Sequence, residues 1–135
     1  MIEVAKGIQQ YYNDKYNCIF FCFSRKYLPL IEQANFEVHL LTPILSELQG
    51  KQFIEVDQGR SLKFPLTKKE VFQRVRNELA LMGNKKPSLI ITGSNITIFL
   101  SARIAKIPLV FIKPFAMSRP NFSDPNIIPR AFSGY

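Results

Sequence analysis

Nitrogen and sulfur ligands for a metal are nearly absent from this chain, which has one histidine and two cysteines among 135 residues. The thiols, Cys18 and Cys22, stand four residues apart in an apolar stretch. Along an extended strand that spacing is about 13 Å, too long for a disulfide. No second Cys or His pair accompanies them, so they read as buried thiols in a reducing compartment and no metal site is expected. Paired carboxylates, a glycine-rich phosphate loop and a nucleophile elbow are also lacking, and no cofactor is expected. No run reaches the roughly eighteen uninterrupted apolar residues of a membrane span. Residues 88–112 come nearest, and Arg103 and Lys106 break them. The opening MIEVAKGIQQ has no basic stretch followed by an apolar core, so no secretory signal is read and a cytoplasmic location is expected.

What is present is the composition of a globular domain, 47% hydrophobic and 21% charged, long enough to bury a core without staples. Charge is placed unevenly. Residues 1–66 hold seven Lys/Arg and seven Asp/Glu, whereas residues 67–135 hold eleven and three, so the whole net charge of +8 lies in the second half. A basic half attracts polyanions or an anionic membrane face, which allows peripheral attachment there. The plainer reading is solvated surface, with Lys68, Lys69, Arg74 and Arg76 on a helix and Lys85 and Lys86 on a turn. Aromatic residues fall in strand and helix positions rather than among the cations, so nucleic acid is not the expected partner.

The apolar pattern alternates helix and strand. Ile2, Val4, Ala5, Ile8, Tyr11 and Tyr12 trace a helix to about residue 13. Residues 17–24 read as a buried strand, 27–34 as a helix, 36–41 and 53–56 as strands, and 57–65 as a loop. Thr67 and Glu70 form a capping box for a helix striped by Val71, Phe72, Val75, Leu79 and Met82, which Gly83 and Asn84 close. The richest segment is KPSLIITGSNITIFLSARIAKIPLVFI, residues 86–112. Strand 88–92 is followed by a polar turn at Gly93, Ser94 and Asn95. A helix striped by Ile96, Phe99, Leu100, Ile104 and Ala105 comes next, then a stop at Ile107 and Pro108, and strand 109–112. Two apolar strands joined by one helix make a right-handed βαβ unit. Ligands of such sheets bind at the carboxyl ends of the strands, here Thr92 to Asn95 and residues 113–115.

Isolated chemistry is sparse. His39 alternates with Val38 and Leu40 inside a strand, where a lone histidine is more often structural than catalytic. Asp57 after a strand fits ordinary turn chemistry. The turn at Gly93, Ser94 and Asn95 offers backbone N–H groups to an anion or sugar hydroxyl, or simply caps the helix. Lys113, Ser118, Arg119 and Asn121 follow the last strand among Pro114, Pro120, Pro125 and Pro129, where Arg suits bidentate phosphate or carboxylate recognition.

Pro87, an apolar strand, a small polar turn, and a helix ending in Ala105-Lys106-Ile107-Pro108 before another apolar strand resemble the amino-terminal domain of GT-B glycosyltransferases. The chain has Ser88 in the family's usual Asp place and Lys106 in its usual Gly place. The resemblance implies an α/β fold: a Rossmann-like, doubly wound, mostly parallel sheet with flanking helices, lacking the usual first strand. It implies a domain over residues 1–113 and an irregular Pro-rich tail, 114–135, leading toward a missing second domain, with truncation at both ends. The function implied is the acceptor-side part of an enzyme that moves sugar from a nucleotide-sugar donor, inactive alone. Its acceptor, lipid-linked in several such enzymes, would meet Thr92, Gly93, Ser94, Asn95, Lys113, Ser118 and Arg119. The missing donor domain or a second copy is the implied partner. The alternative is a small non-catalytic α/β module that binds a nucleotide or a partner protein.

Overall fold

Four short apolar runs become strands in the computed structural model, which describes residues 1–13, 15–57, 60–93 and 95–112. They are β1 (Ile19–Cys22), β2 (Glu37–Leu40), β3 (Ile90–Thr92) and β4 (Leu109–Phe111). β1 pairs parallel with β2, Ile19 opposite Glu37 and Phe21 opposite His39. β3 pairs parallel with β4, Ile90 opposite Leu109 and Thr92 opposite Phe111. Around them lie α1 (Ile2–Tyr11), a 3-10 turn (Arg25–Tyr27) running into α2 (Leu28–Gln33), α3 (Glu47–Asp57), α4 (Lys68–Lys85) and α5 (Thr97–Ala105). The protein is thus a small α/β structure with two short parallel strand pairs and helices. The single sheet expected from the sequence is not seen as one hydrogen-bonded ladder.

Alternation along β1 divides the core. Phe20, with its register partner Val38, packs against Ala5, Ile31 and Phe36, from α1, α2 and the approach to β2. Phe21, one residue on and therefore on the opposite face, packs on the cluster of Met82, Ile90, Ile98 and Ala102. The first strand pair therefore has helices against both faces, while α4 and α5 cover one face of the second.

Contacts along α4 also fix strand direction. Lys85 near the helix end reaches Glu37 at the start of β2, and Asn77, two turns earlier, reaches Thr42 beyond its end. Likewise Met82 clusters with Ile90 at the start of β3, whereas Glu78 bonds Asn95 beyond its end. α4 runs opposite to both β2 and β3, so all four strands point the same way and their carboxyl ends share one edge.

Several local expectations are corrected; the buried face of α5 is Thr97, Ile98, Ser101 and Ala102, whereas Leu100 and Ile104 of the expected stripe are exposed. Residues 53–56, expected as a strand from Phe53, Ile54 and Val56, lie within α3. Ser46 and Gln49 explain this: Ser46 Oγ accepts from Gln49 N at 3.2 Å and Gln49 Oε1 accepts from Ser46 N at 3.1 Å, a reciprocal cap that starts a helix. Gly83 and Asn84 do not close α4, which continues to Lys85 and ends where Lys86 turns left-handed at φ 47°. Pro87 behind it disfavours further helix. Phe72 is not part of the buried stripe; it is 73% exposed, while Met82 is 2% exposed. Met82→Ala should therefore lower stability by about 2–5 kcal/mol, and Phe72→Ser by less than about 0.5 kcal/mol, in urea unfolding.

The expected capping box is present in full. Glu70 N donates to Thr67 Oγ1 at 3.2 Å, and Thr67 N donates to Glu70 Oε2 at 2.8 Å. The Thr67 N–H, then Gln49 and the Thr67 hydroxyl, hold the Glu70 carboxyl down to about 2. An unfolded glutamate titrates near 4.3, about two units higher, so the folded state binds the proton more weakly. The resulting stabilisation is complete above the unfolded value and disappears as pH falls through the folded one. Glu37 acts in the same direction, its carboxyl lowered by hydrogen bonds from Lys85 and His39. Unfolding curves collected between pH 6 and 2 should show a steep acid limb, shallower in Glu70→Gln; an unchanged limb would refute the assignment to Glu70.

Candidate functional site

The common carboxyl edge is organised from beneath by two charged residues of α4. Val71, Arg74, Val75, Glu78, Leu79 and Met82 recur at helical spacing, so Arg74 and Glu78 interrupt an inward-facing stripe. Both are buried, Arg74 to 2% and Glu78 to 0% exposure. A bare carboxylate is costly to bury, and Glu78 is given three donors instead. Asn95 Nδ2 donates to its Oε1 at 2.8 Å and Thr97 Oγ1 to the same oxygen at 2.7 Å, while Ser101 Oγ donates to Oε2. Thr97 Oγ1 also lies 3.0 Å from Asn95 Oδ1, but its single proton favours the charged acceptor.

This network positions the turn after β3. Thr92 is buried, its carbonyl accepting from Ile112 N at 2.8 Å across to the end of β4. Gly93 follows; a Cβ there would sit 3.7 Å from Ile112 O, an ordinary contact, so the turn does not require glycine on steric grounds. Asn95 is not a helix cap. α5 begins after Ile96 with no side-chain cap bond, and Asn95 is turned down onto Glu78. Through the Thr97 hydroxyl the buried Glu78 carboxylate lies beside the start of α5, where its charge is favourable to the helix dipole. A second full negative charge at this turn would face repulsion, whereas a neutral polyol offering hydroxyls to backbone and amide groups would not.

At the ends of β1 and β2 the organiser is Arg74. Its Nη2 donates to Pro43 O at 3.1 Å and its guanidinium lies 4.1 Å from the centre of the Phe23 ring. Nε is buried and has no hydrogen-bond partner among the described residues. Burial lowers the Arg74 pKa, and the charges of Glu78 and Glu70 oppose that fall. Beside it Asn77 Nδ2 donates to Thr42 O at 2.7 Å and Thr42 Oγ1 at 3.0 Å. These two residues line a shallow groove of about 350 Å³ with Leu40, Leu41 and Leu81.

Of the expected site residues, Thr92, Gly93 and Asn95 fall together on this edge, and Ser94, Lys113, Ser118 and Arg119 lie outside the described residues. Arg74 was expected as solvated surface and is buried. Glu78 was not singled out, although Arg and Glu four apart inside a stripe of Val71, Val75 and Met82 are the signal that reveals both. His39 has a structural place: its Nε2 is 2.7 Å from Glu37 Oε1, which Lys85 also meets. Residue 57 ends α3 rather than following a strand. Cys18 and Cys22 are free thiols, burial raising the pKa of Cys18, and Cys22 Sγ donates to Ser24 O at 2.9 Å. Among the described residues no helix is long and apolar enough to cross a membrane.

Comparison with protein-family models, with curated proteins and with solved structures returns no match to the chain.

Replacing Glu78 tests the network. Glu78→Ala removes the shared acceptor of Asn95, Thr97 and Ser101, leaving the two hydroxyls only Asn95 Oδ1 and Thr97 O, and should cost about 3 kcal/mol, whereas Glu78→Gln keeps one acceptor oxygen and should cost about 1–2 kcal/mol. In the folded Gln variant, amide shift changes should concentrate at residues 92–97. A loss below about 0.5 kcal/mol for Glu78→Ala in urea unfolding would remove the network from its organising role.

Proposed function

We propose that the chain forms the acceptor-side domain of a GT-B-type glycosyltransferase and is inactive without a nucleotide-sugar-binding domain supplied elsewhere. The observation that carries this reading is the polar turn of Thr92, Gly93 and Asn95, held at the carboxyl edge of parallel strands by an internal carboxylate. That compensation leaves the turn suited to neutral hydroxyls. In this reading the two strand pairs are halves of one Rossmann-like, doubly wound arrangement. Their common direction and the helices against both faces of β1–β2 support it.

The described residues bind and orient. Asn95 is fixed through its amide nitrogen, and its carbonyl oxygen, 3.0 Å from Thr97 Oγ1, has a second lone pair for a ligand hydroxyl in this reading, with the first N–H groups of α5 as donors. Activation of the acceptor hydroxyl by a base and stabilisation of the departing diphosphate belong to the rest of the enzyme. Where the acceptor is lipid-linked, the basic second half of the sequence holds the domain at an anionic membrane face.

Amide shifts of the labelled chain should be followed during titration with a water-soluble short-chain prenyl diphosphate carrying N-acetylglucosamine, and separately with uridine diphosphate. The reading expects the glycolipid analogue to move the amides of Thr92, Gly93, Asn95 and Thr97, with uridine diphosphate leaving them in place. Movement by the nucleotide alone would overturn it in favour of a nucleotide-binding module, and silence with both would overturn it outright. Sugar transfer by the isolated chain would refute its inactivity.

A further inference from the structure

While α4 turns Arg74 and Glu78 inward, its opposite side carries cations around an aromatic ring. At about 100° per residue, Lys68, Lys69, Phe72 and Arg76 fall within roughly one third of the helix circumference. All four side chains are exposed, Phe72 to 73%. The three cations have no ion pair among the described residues. Glu70, the acid of the same turn, lies off this arc and is held by Thr67 and Gln49.

The fold itself does not call for this combination. Lys68 and Lys69 occupy the first two positions of α4, where the helix dipole disfavours cations. Phe72 belongs to neither hydrophobic cluster. The loop that enters the helix has the same character: Leu62 is 90% exposed, and Lys63 beside it is exposed. Because α4 runs opposite to the strands, its first turns lie toward their carboxyl edge. Cations that meet anionic headgroups, next to apolar side chains that enter the acyl boundary, are the chemistry of interfacial membrane binding.

We infer that the outer face of α4, formed by Lys68, Lys69, Phe72 and Arg76, docks on an anionic lipid surface. A single-stranded nucleic acid fits this face less well. It needs aromatic faces for successive bases, and Phe72 is the one aromatic side chain on the arc, while Leu62 has no ring to stack on. A second copy of the chain would bring like charge against like charge. A bilayer asks only for cations and apolar bulk, both of which are here. The inference names the face for the membrane attachment proposed above and does not rest on the transferase reading, since lipid binding involves no sugar.

The test is sedimentation of the full chain with phosphatidylcholine vesicles, either pure or containing about one third phosphatidylserine. The inference expects binding to the anionic vesicles alone, weakening as salt rises. Lys68→Gln with Lys69→Gln should weaken it about tenfold, and Phe72→Ser about fivefold or more. These are surface changes, and urea unfolding of each variant checks that the fold is kept. A control pair, Lys86→Gln with Lys106→Gln, removes two exposed cations from the other ends of α4 and α5 and should weaken binding less than about twofold. Absence of binding, equal binding to pure phosphatidylcholine, or equal weakening by the control pair would overturn the inference. So would a Phe72→Ser chain that loses affinity for a single-stranded oligonucleotide while its vesicle binding is unchanged, which would make nucleic acid the occupant. The glycolipid titration is done without vesicles, so this face and the turn at Thr92 can fail separately.

Discussion

A single helix lies across the seam between the two strand pairs, and the burial of its Glu78 carboxylate constrains everything at the carboxyl edge. Desolvating that charge costs several kcal/mol, so the fold is stable only in arrangements that bring Asn95, Thr97 and Ser101 to it. Those residues belong to the turn after β3 and to the first two turns of α5. α4 thereby sets where the turn sits and how α5 starts. Arg74, one helical turn earlier, does the corresponding work after β1 and β2 through Phe23 and Pro43. The two charges do not depend on one another for hydrogen bonds. Glu78 is bonded by the turn after β3 and by α5, and Arg74 by Pro43 after β2, which is how one helix ties two strand pairs that share no ladder among the described residues.

Sequence reading succeeded where local chemistry decides the outcome. The box of Thr67 and Glu70, the apolar runs in all four strands and the strand–turn–helix–strand order from Ile90 onward needed no tertiary information. It failed where a local signal competed with a stronger one. Phe53, Ile54 and Val56 have high strand propensity, but the reciprocal cap of Ser46 and Gln49 nucleates a helix through them. It failed again where chemistry was judged by residue type rather than by position. Arg74 is charged and so reads as surface, and Glu78 passes unremarked, although the helical period places both on the same face as Val75 and Met82. Part of the site was therefore visible, namely Thr92, Gly93 and Asn95. The groups beneath, which give the turn its electrostatic character, were not.

That character decides between ligands. An uncapped helix start is ordinarily an attractive place for phosphate, because its N–H groups and dipole both favour negative charge. Here the negative charge is built in. Glu78 is bonded to the side chain of Thr97, the first residue of α5, so its charge lies beside the helix start and opposes a second anion there. In the proposed reading this favours a neutral hydroxyl over a phosphate. In the same reading, the charged part of a lipid-linked acceptor is met by other residues, and the excess of Lys and Arg after residue 66 is the place in the sequence with the charge to do so. Two tasks are thereby separated in that reading, hydroxyl recognition at the turn and a salt-sensitive attraction to an anionic membrane face.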